Sequence, residues 1–122
     1  MAGSIAWLVD TRAISQYLGT RKKSYVYDKG HIPGARSFPN ELMNSAGMPA
    51  RFLPADELRQ LMQAMNIDTD ADTITYCNSG HLASGGWFIM SELLGNKNVS
   101  VYDGSMHEWT LNKLPVHRFD ME

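Results

Sequence analysis

Cysteine is nearly absent from this sequence: among 122 residues there is one, Cys77. An intramolecular disulfide is thereby excluded, as is a zinc site built from several thiolates. No apolar run is long enough to span a bilayer. The first residues, Met1 to Trp7, lack the charged start and apolar stretch of a secretory leader. The chain therefore reads as cytoplasmic, with no membrane partner. A basic surplus is also missing. The formal net charge is −2, whereas nucleic-acid binders usually carry a cationic surface, so no nucleic-acid partner is expected. The one basic cluster, Arg21-Lys22-Lys23, reads as a solvated loop. Internal repeats, low-complexity tracts and linkers are lacking.

What is present fits one domain over 1–122. Hydrophobic residues make up 43% and charged residues 20%, enough to bury a core without a staple. Apolar runs alternate with helical patterns, which predicts an α/β fold with a mainly parallel sheet flanked by helices. Ile5 to Val9 reads as a strand, Arg12 to Leu18 as a short helix, and Gly19 to Gly30 as loop. Arg36 to Phe38 reads as a second strand behind the turn at Pro33 and Gly34. Asn40 to Pro54 reads as irregular. Leu58, Leu61, Met62 and Met65 share one face of a helix over Pro54 to Met65. Thr73 to Tyr76 is a β-branched strand ending at Cys77. A helix over Leu82 to Leu94 is closed by Gly95-Asn96. Val99 to Tyr102 is a further strand, and Ser105 with Glu108 reads as a capping box for a last helix. The tail from Pro115 reads as extended. Trp87, Met90 and Trp109 are read as core, and His107 and His117 as surface residues. Asp68-Thr69-Asp70-Ala71-Asp72 resembles the start of a calcium loop, but Thr73 and Ser79 stand where glycine and glutamate are needed. It reads as a solvated turn, and no metal site is expected.

The placement of Cys77 carries the chemistry. A strand ends there, and a helix begins after Asn78, Ser79, Gly80 and His81. A tight strand-loop-helix turn can aim backbone N–H groups into one concavity. The helix N-terminus adds partial positive charge. Both features favour a thiolate, the reactive form of cysteine. The loop from Asn78 to Leu82 is the expected binding cradle for an anion. A cysteine phosphatase would use a longer loop ending in an arginine that clamps phosphate bidentately. Here the sixth residue after Cys77 is Ala83, so phosphatase or arsenate-reductase chemistry ranks low.

Four separated pieces then resemble one family. They are Leu8-Val9-Asp10-Thr11-Arg12; Tyr17-Leu18-Gly19-Thr20 with Gly30-His31-Ile32-Pro33-Gly34-Ala35; Cys77 to Ala83; and Val101-Tyr102-Asp103-Gly104-Ser105 with Glu108-Trp109. Together, over about residues 7–109, the chain resembles the rhodanese sulfurtransferases. It is most similar to the catalytic C-terminal half of the two-domain thiosulfate and mercaptopyruvate enzymes. The resemblance implies a rhodanese-like, mainly parallel five-stranded sheet. It implies sulfur transfer from thiosulfate or a related donor to cyanide or a thiol, through a persulfide on Cys77, with no cofactor. Arg12 and Arg36 join the loop as candidate donor-binding residues, with Asp10–Arg12 also readable as a structural ion pair. His31 is expected to bond backbone.

The family's thiosulfate enzymes usually place Arg and Lys after the cysteine, where this chain has Asn78 and Ser79. Both groups often have an arginine where this chain has Gln16. His81 can supply charge when protonated. The neutral loop leaves two alternatives open: a mercaptopyruvate sulfurtransferase, or a sulfur relay module loaded by a protein partner or an upstream rhodanese domain.

Overall fold

A computed structural model describes residues 6–45, 51–79 and 81–121. Its strands are β1 (Trp7–Asp10), β2 (Arg36–Ser37), β3 (Thr73–Tyr76) and β4 (Val99–Val101). The helices are α1 (Ile14–Leu18), α2 (Ala55–Ala64), α3 (His81–Phe88) and α4 (Ser105–Leu111). The strands form a parallel sheet in the order β2-β1-β3-β4. The expected α/β class holds, with four strands among the described residues and not five. The other extended pieces pair only as isolated bridges, His31 with His117 and Asn44 with Phe52. Such bridges are too short to add a strand to the ladder.

Alternation along the strands divides the core in two. Val9 packs with Phe38, Met43, Leu58, Met62, Ile67, Ile89 and Met90 on one side. Tyr76 packs with Val26, Ile32, Ala35 and Met106 on the other, where Leu8 and Trp109 lean against them. The predicted stripe of α2 is realised: Leu58 and Met62 are buried, and Leu61 and Met65 pack partly buried beside them. Gly86 lets α3 lie close to the sheet. A methyl group there would press on the methyls of Thr11 and Thr75. The helix predicted to reach Leu94 ends one residue earlier and with a change of pitch: Ile89–Leu93 is a π-helical turn.

Three local expectations are corrected. Strand β1 begins at Trp7 and runs to Asp10, while Ile5 lies outside the described residues. Helix α1 begins only at Ile14, because Ala13 is extended (ψ 147°) and Arg12 is folded back onto Asp10. The capping box does not form. Ser105 has φ +51° and its hydroxyl bonds elsewhere, while Glu108 accepts from the Tyr102 hydroxyl at 2.8 Å.

Because all four strands run parallel, their carboxyl ends lie along one edge of the sheet. Asp10, Tyr76 and Val101 end their strands there, which is where open α/β sheets place their ligand sites.

Candidate active site

Cys77 is the first residue beyond β3 and is 2% exposed. The β4–α4 junction grips its backbone from both sides. Cys77 N–H donates to Ser105 Oγ at 3.0 Å, and Met106 N–H donates to the Cys77 carbonyl at 3.0 Å. His107 N–H donates to the next carbonyl, that of Asn78, at 2.9 Å. The Ser105 hydroxyl in turn donates a hydrogen bond to the Tyr102 carbonyl at 2.8 Å. Ser105 is fully buried and holds the left-handed conformation that a non-glycine residue adopts at a cost.

The second wall comes from the end of β1. Arg12 is 0% exposed. Its Nε and NH2 groups meet the Asp10 carboxylate at 2.7–3.1 Å. NH2 also donates to the Gly30 carbonyl at 2.7 Å, and NH1 reaches Asn78 Oδ1 at 3.4 Å. The Asn78 amide in turn donates to Gln16 Oε1 at 2.8 Å. The Thr11 hydroxyl and N–H both donate to the Tyr76 carbonyl at 3.0 Å. A charge buried this deeply requires a partner and satisfied hydrogen bonds, and Asp10, Gly30 and Asn78 supply them. Arg12 is thus buried among protein partners, with Asn78 the one that belongs to the loop. Burial, followed by the nearby Asp10 charge, pushes the Tyr76 phenol well above its ordinary pKa. That phenol stays neutral and accepts the Ile32 N–H at 3.1 Å.

The remaining predicted residues are distributed around this frame. Ser79 and Leu82 are exposed beside the loop, and His81 opens α3. Gly80 lies outside the described residues. Arg36 has its guanidinium over the Trp7 ring, 5.1 Å from the centroid. The side chain therefore meets the residue that opens β1. It helps to line a cavity of about 540 Å³ with Tyr17, His31 and His117.

His31 has the structural role expected of it. Its Nδ1 lies 2.7 Å from the Tyr17 carbonyl, so this nitrogen carries the proton, since a carbonyl can only accept. Its ring stacks on Tyr17 at 3.8 Å. Gly30 precedes it at φ +113°, where a side chain would collide with the His117 carbonyl.

Sequence reasoning missed Ser105 and His107 as loop supports. Only the conjunction of a strand end, a glycine and a hydroxyl in Tyr102-Asp103-Gly104-Ser105 hinted at them.

The comparisons with known proteins agree with this architecture. A family model described as "Rhodanese-like domain" matches residues 1–112. The chain is 38% identical over 109 residues to the sulfur carrier protein TtuD of Thermus thermophilus, covering 84% of this chain and 37% of that one. It is 36% identical over 108 residues to a Saccharopolyspora erythraea protein named "Putative thiosulfate sulfurtransferase", covering 84% and 38%. Among solved structures, YnjE superposes with a TM-score of 0.78 at 30% identity, covering 95% of this chain and 29% of that one. A structure of EanB with a persulfide cysteine in a tetrahedral intermediate state with ergothioneine superposes at 0.83 and 26% identity, covering 95% and 29%. The chain spans less than two fifths of the length of these relatives. The first two names describe proteins that carry or transfer sulfur, and the EanB structure has a cysteine as the persulfide-bearing group. By its motifs, its parallel sheet and the family model, the chain belongs to the rhodanese-like domain family.

Proposed function

We propose that this domain is a sulfurtransferase that carries sulfane sulfur as a persulfide on Cys77. The observation that carries the reading is the position of Cys77. It lies at the carboxyl edge of a parallel sheet, directly before α3, with its N–H and carbonyl both tied to the β4–α4 junction. The Cys77 N–H itself is spent on Ser105, so an anionic donor must be held by other groups of the loop. The thiolate attacks the outer sulfur of thiosulfate, the donor's sulfur–sulfur bond breaks, and sulfite leaves with the electron pair. A thiophilic acceptor, cyanide or a thiol, then takes the outer sulfur and returns the Cys77 thiolate, as in two-step covalent catalysis.

The Gln16–Asn78 hydrogen bond favours a second reading. It places a neutral amide pair beside the nucleophile, and Arg12 is masked by Asp10. Such a site attracts a dianion weakly. A relay module that takes sulfur from a protein, or an enzyme using mercaptopyruvate, fits this rim better than one dedicated to thiosulfate.

Intact mass after incubation with thiosulfate tests the proposal. A gain of one sulfur atom is expected, lost on adding cyanide and absent in Cys77→Ser. No gain with thiosulfate, mercaptopyruvate or a persulfidated protein would overturn it.

A further inference from the structure

The segment from Thr20 to Lys29 is the most positively charged stretch of a chain whose formal net charge is −2. It holds Arg21, Lys22, Lys23 and Lys29 against one acid, Asp28. Asp28 is already matched by Arg118 at 3.4 Å. The ion pairs among the described residues include none of those four cations. The segment is nonetheless fixed in place. Val26 is fully buried against the core around Tyr76 and Met106, and Tyr27 N–H donates to Thr110 Oγ1 at 2.9 Å.

Its position relative to Cys77 follows from the three groups that hold Asn78. Gln16 belongs to α1, where the Ser15 carbonyl accepts the N–H groups of Thr20 and Arg21. Arg12 donates to Gly30 at the segment's other end. His107 places Nδ1 2.8 Å from the Tyr25 carbonyl, with the Tyr25 and Tyr27 rings 6.0 and 5.7 Å from its own. Tyr25 and Tyr27 remain 40% and 56% exposed. A rigid cationic strip with two exposed tyrosines therefore flanks the nucleophile loop. Tyrosine edged by charge is what transient interfaces use, and unpaired charge beside a reactive site raises encounter rates with partners of opposite sign.

We propose that residues 20–29 form a docking platform for an acidic protein segment that presents a cysteine thiol to the Cys77 persulfide. The inference rests on the persulfide reading and names the acceptor class. The acceptor's thiol proton goes to solvent, and its thiolate bonds to the outer sulfur. The Cys77 sulfur–sulfur bond breaks, and Cys77 departs as a thiolate. The sulfur keeps its oxidation level, so no oxidant is needed.

Two synthetic peptides of equal length test the platform, one rich in glutamate and one in lysine, each with a central serine and a fluorescent label. The glutamate peptide is expected to bind at least ~10-fold more tightly than the lysine peptide at low salt, and more weakly as salt rises. In the triple variant Arg21→Glu, Lys22→Glu, Lys23→Glu the preference is expected to vanish or reverse. Those side chains are exposed, and an unchanged melting temperature will show that the fold is kept. With cysteine in place of serine, the glutamate peptide is expected to discharge the persulfide faster than the lysine peptide, while the triple variant discharges to cyanide at the wild-type rate. Equal binding of the two peptides, or a preference that survives the triple variant, overturns the platform. Tighter binding of a single-stranded RNA oligomer, lost in the same variant, also overturns it. Failure of Cys77 to load would instead strike the persulfide reading, because the serine peptides bind without any chemistry.

Discussion

The Ser105 hydroxyl accepts the backbone N–H of Cys77 across 28 residues of sequence, at 3.0 Å, within a fully buried site. It does so from a left-handed backbone conformation, φ +51°. Two opposing effects therefore meet at one residue. Ser105→Ala keeps the strain and leaves a buried N–H without its acceptor, which costs ~1–3 kcal/mol. Ser105→Gly loses the same acceptor but relieves about 1 kcal/mol of strain. Urea unfolding should rank the proteins wild type, Ser105→Gly, Ser105→Ala. Persulfide loading should slow in both variants, because the hydroxyl is gone from each. An alanine variant as stable as wild type would remove Ser105 from this role.

Asp10 and Arg12 form a buried pair on which Asn78 and Gly30 also depend. Asp10→Asn strands a buried guanidinium, and a loss of ~3–5 kcal/mol is expected in denaturant titrations. Arg12→Lys should not rescue the site. One ammonium cannot reproduce the fork that meets the carboxylate, the Gly30 carbonyl and the Asn78 amide together. Near-wild-type stability of Arg12→Lys would count against this account.

Gln16 offers a simple change in donor preference. Its side-chain oxygen is bonded to the Asn78 amide beside the loop. Gln16→Arg introduces a cation there and should lower the KM for thiosulfate by about three- to tenfold, with a smaller change in kcat. The gain should shrink as salt is added. Steady-state assays at two ionic strengths read this directly, and a salt-independent effect would argue for altered packing instead.

His31 links stability to pH. Burial lowers its pKa below 6.5, against a smaller opposing contribution from the Tyr17 carbonyl. The unfolded chain therefore binds this proton more readily than the folded one. The contribution of neutral His31 is complete above 6.5 and is lost as pH falls through the lowered folded value. Urea midpoints at about pH 7.5 and about pH 5.5 should differ more in wild type than in His31→Gln. An equal drop in both proteins would assign the effect to other groups.

Local pattern made much of this fold readable. The β-branched run Thr73 to Tyr76, the apolar stripe of α2 and the turn before β2 are short-range signals, and they appear where expected. The candidate nucleophile stood out for the same reason: one cysteine between a strand and a helix. What pattern could not convey was partnership at a distance. Ser105 and Glu108 have the spacing of a capping box, yet tertiary structure gives the serine to Cys77 and the glutamate to Tyr102. Arg36 follows the turn motif, but a tryptophan on the far side of α1 in sequence is irrelevant to a linear reading and decisive in space: Trp7 lies on the neighbouring strand and takes its guanidinium. The fifth strand came from resemblance and not from a periodic signal in this chain.

The grip on the Cys77 loop also has a meaning in time. Its supports come from residues 10–16 and from residues 105–107, one set before the cysteine and one well after it. During synthesis the cysteine leaves the ribosome before the later set does. Until Ser105, Met106 and His107 arrive, its backbone has only half of its anchors. The thiol thus gains its working shape at nearly the last step of making the domain, and chains that stop short of α4 carry a cysteine without the geometry to use it.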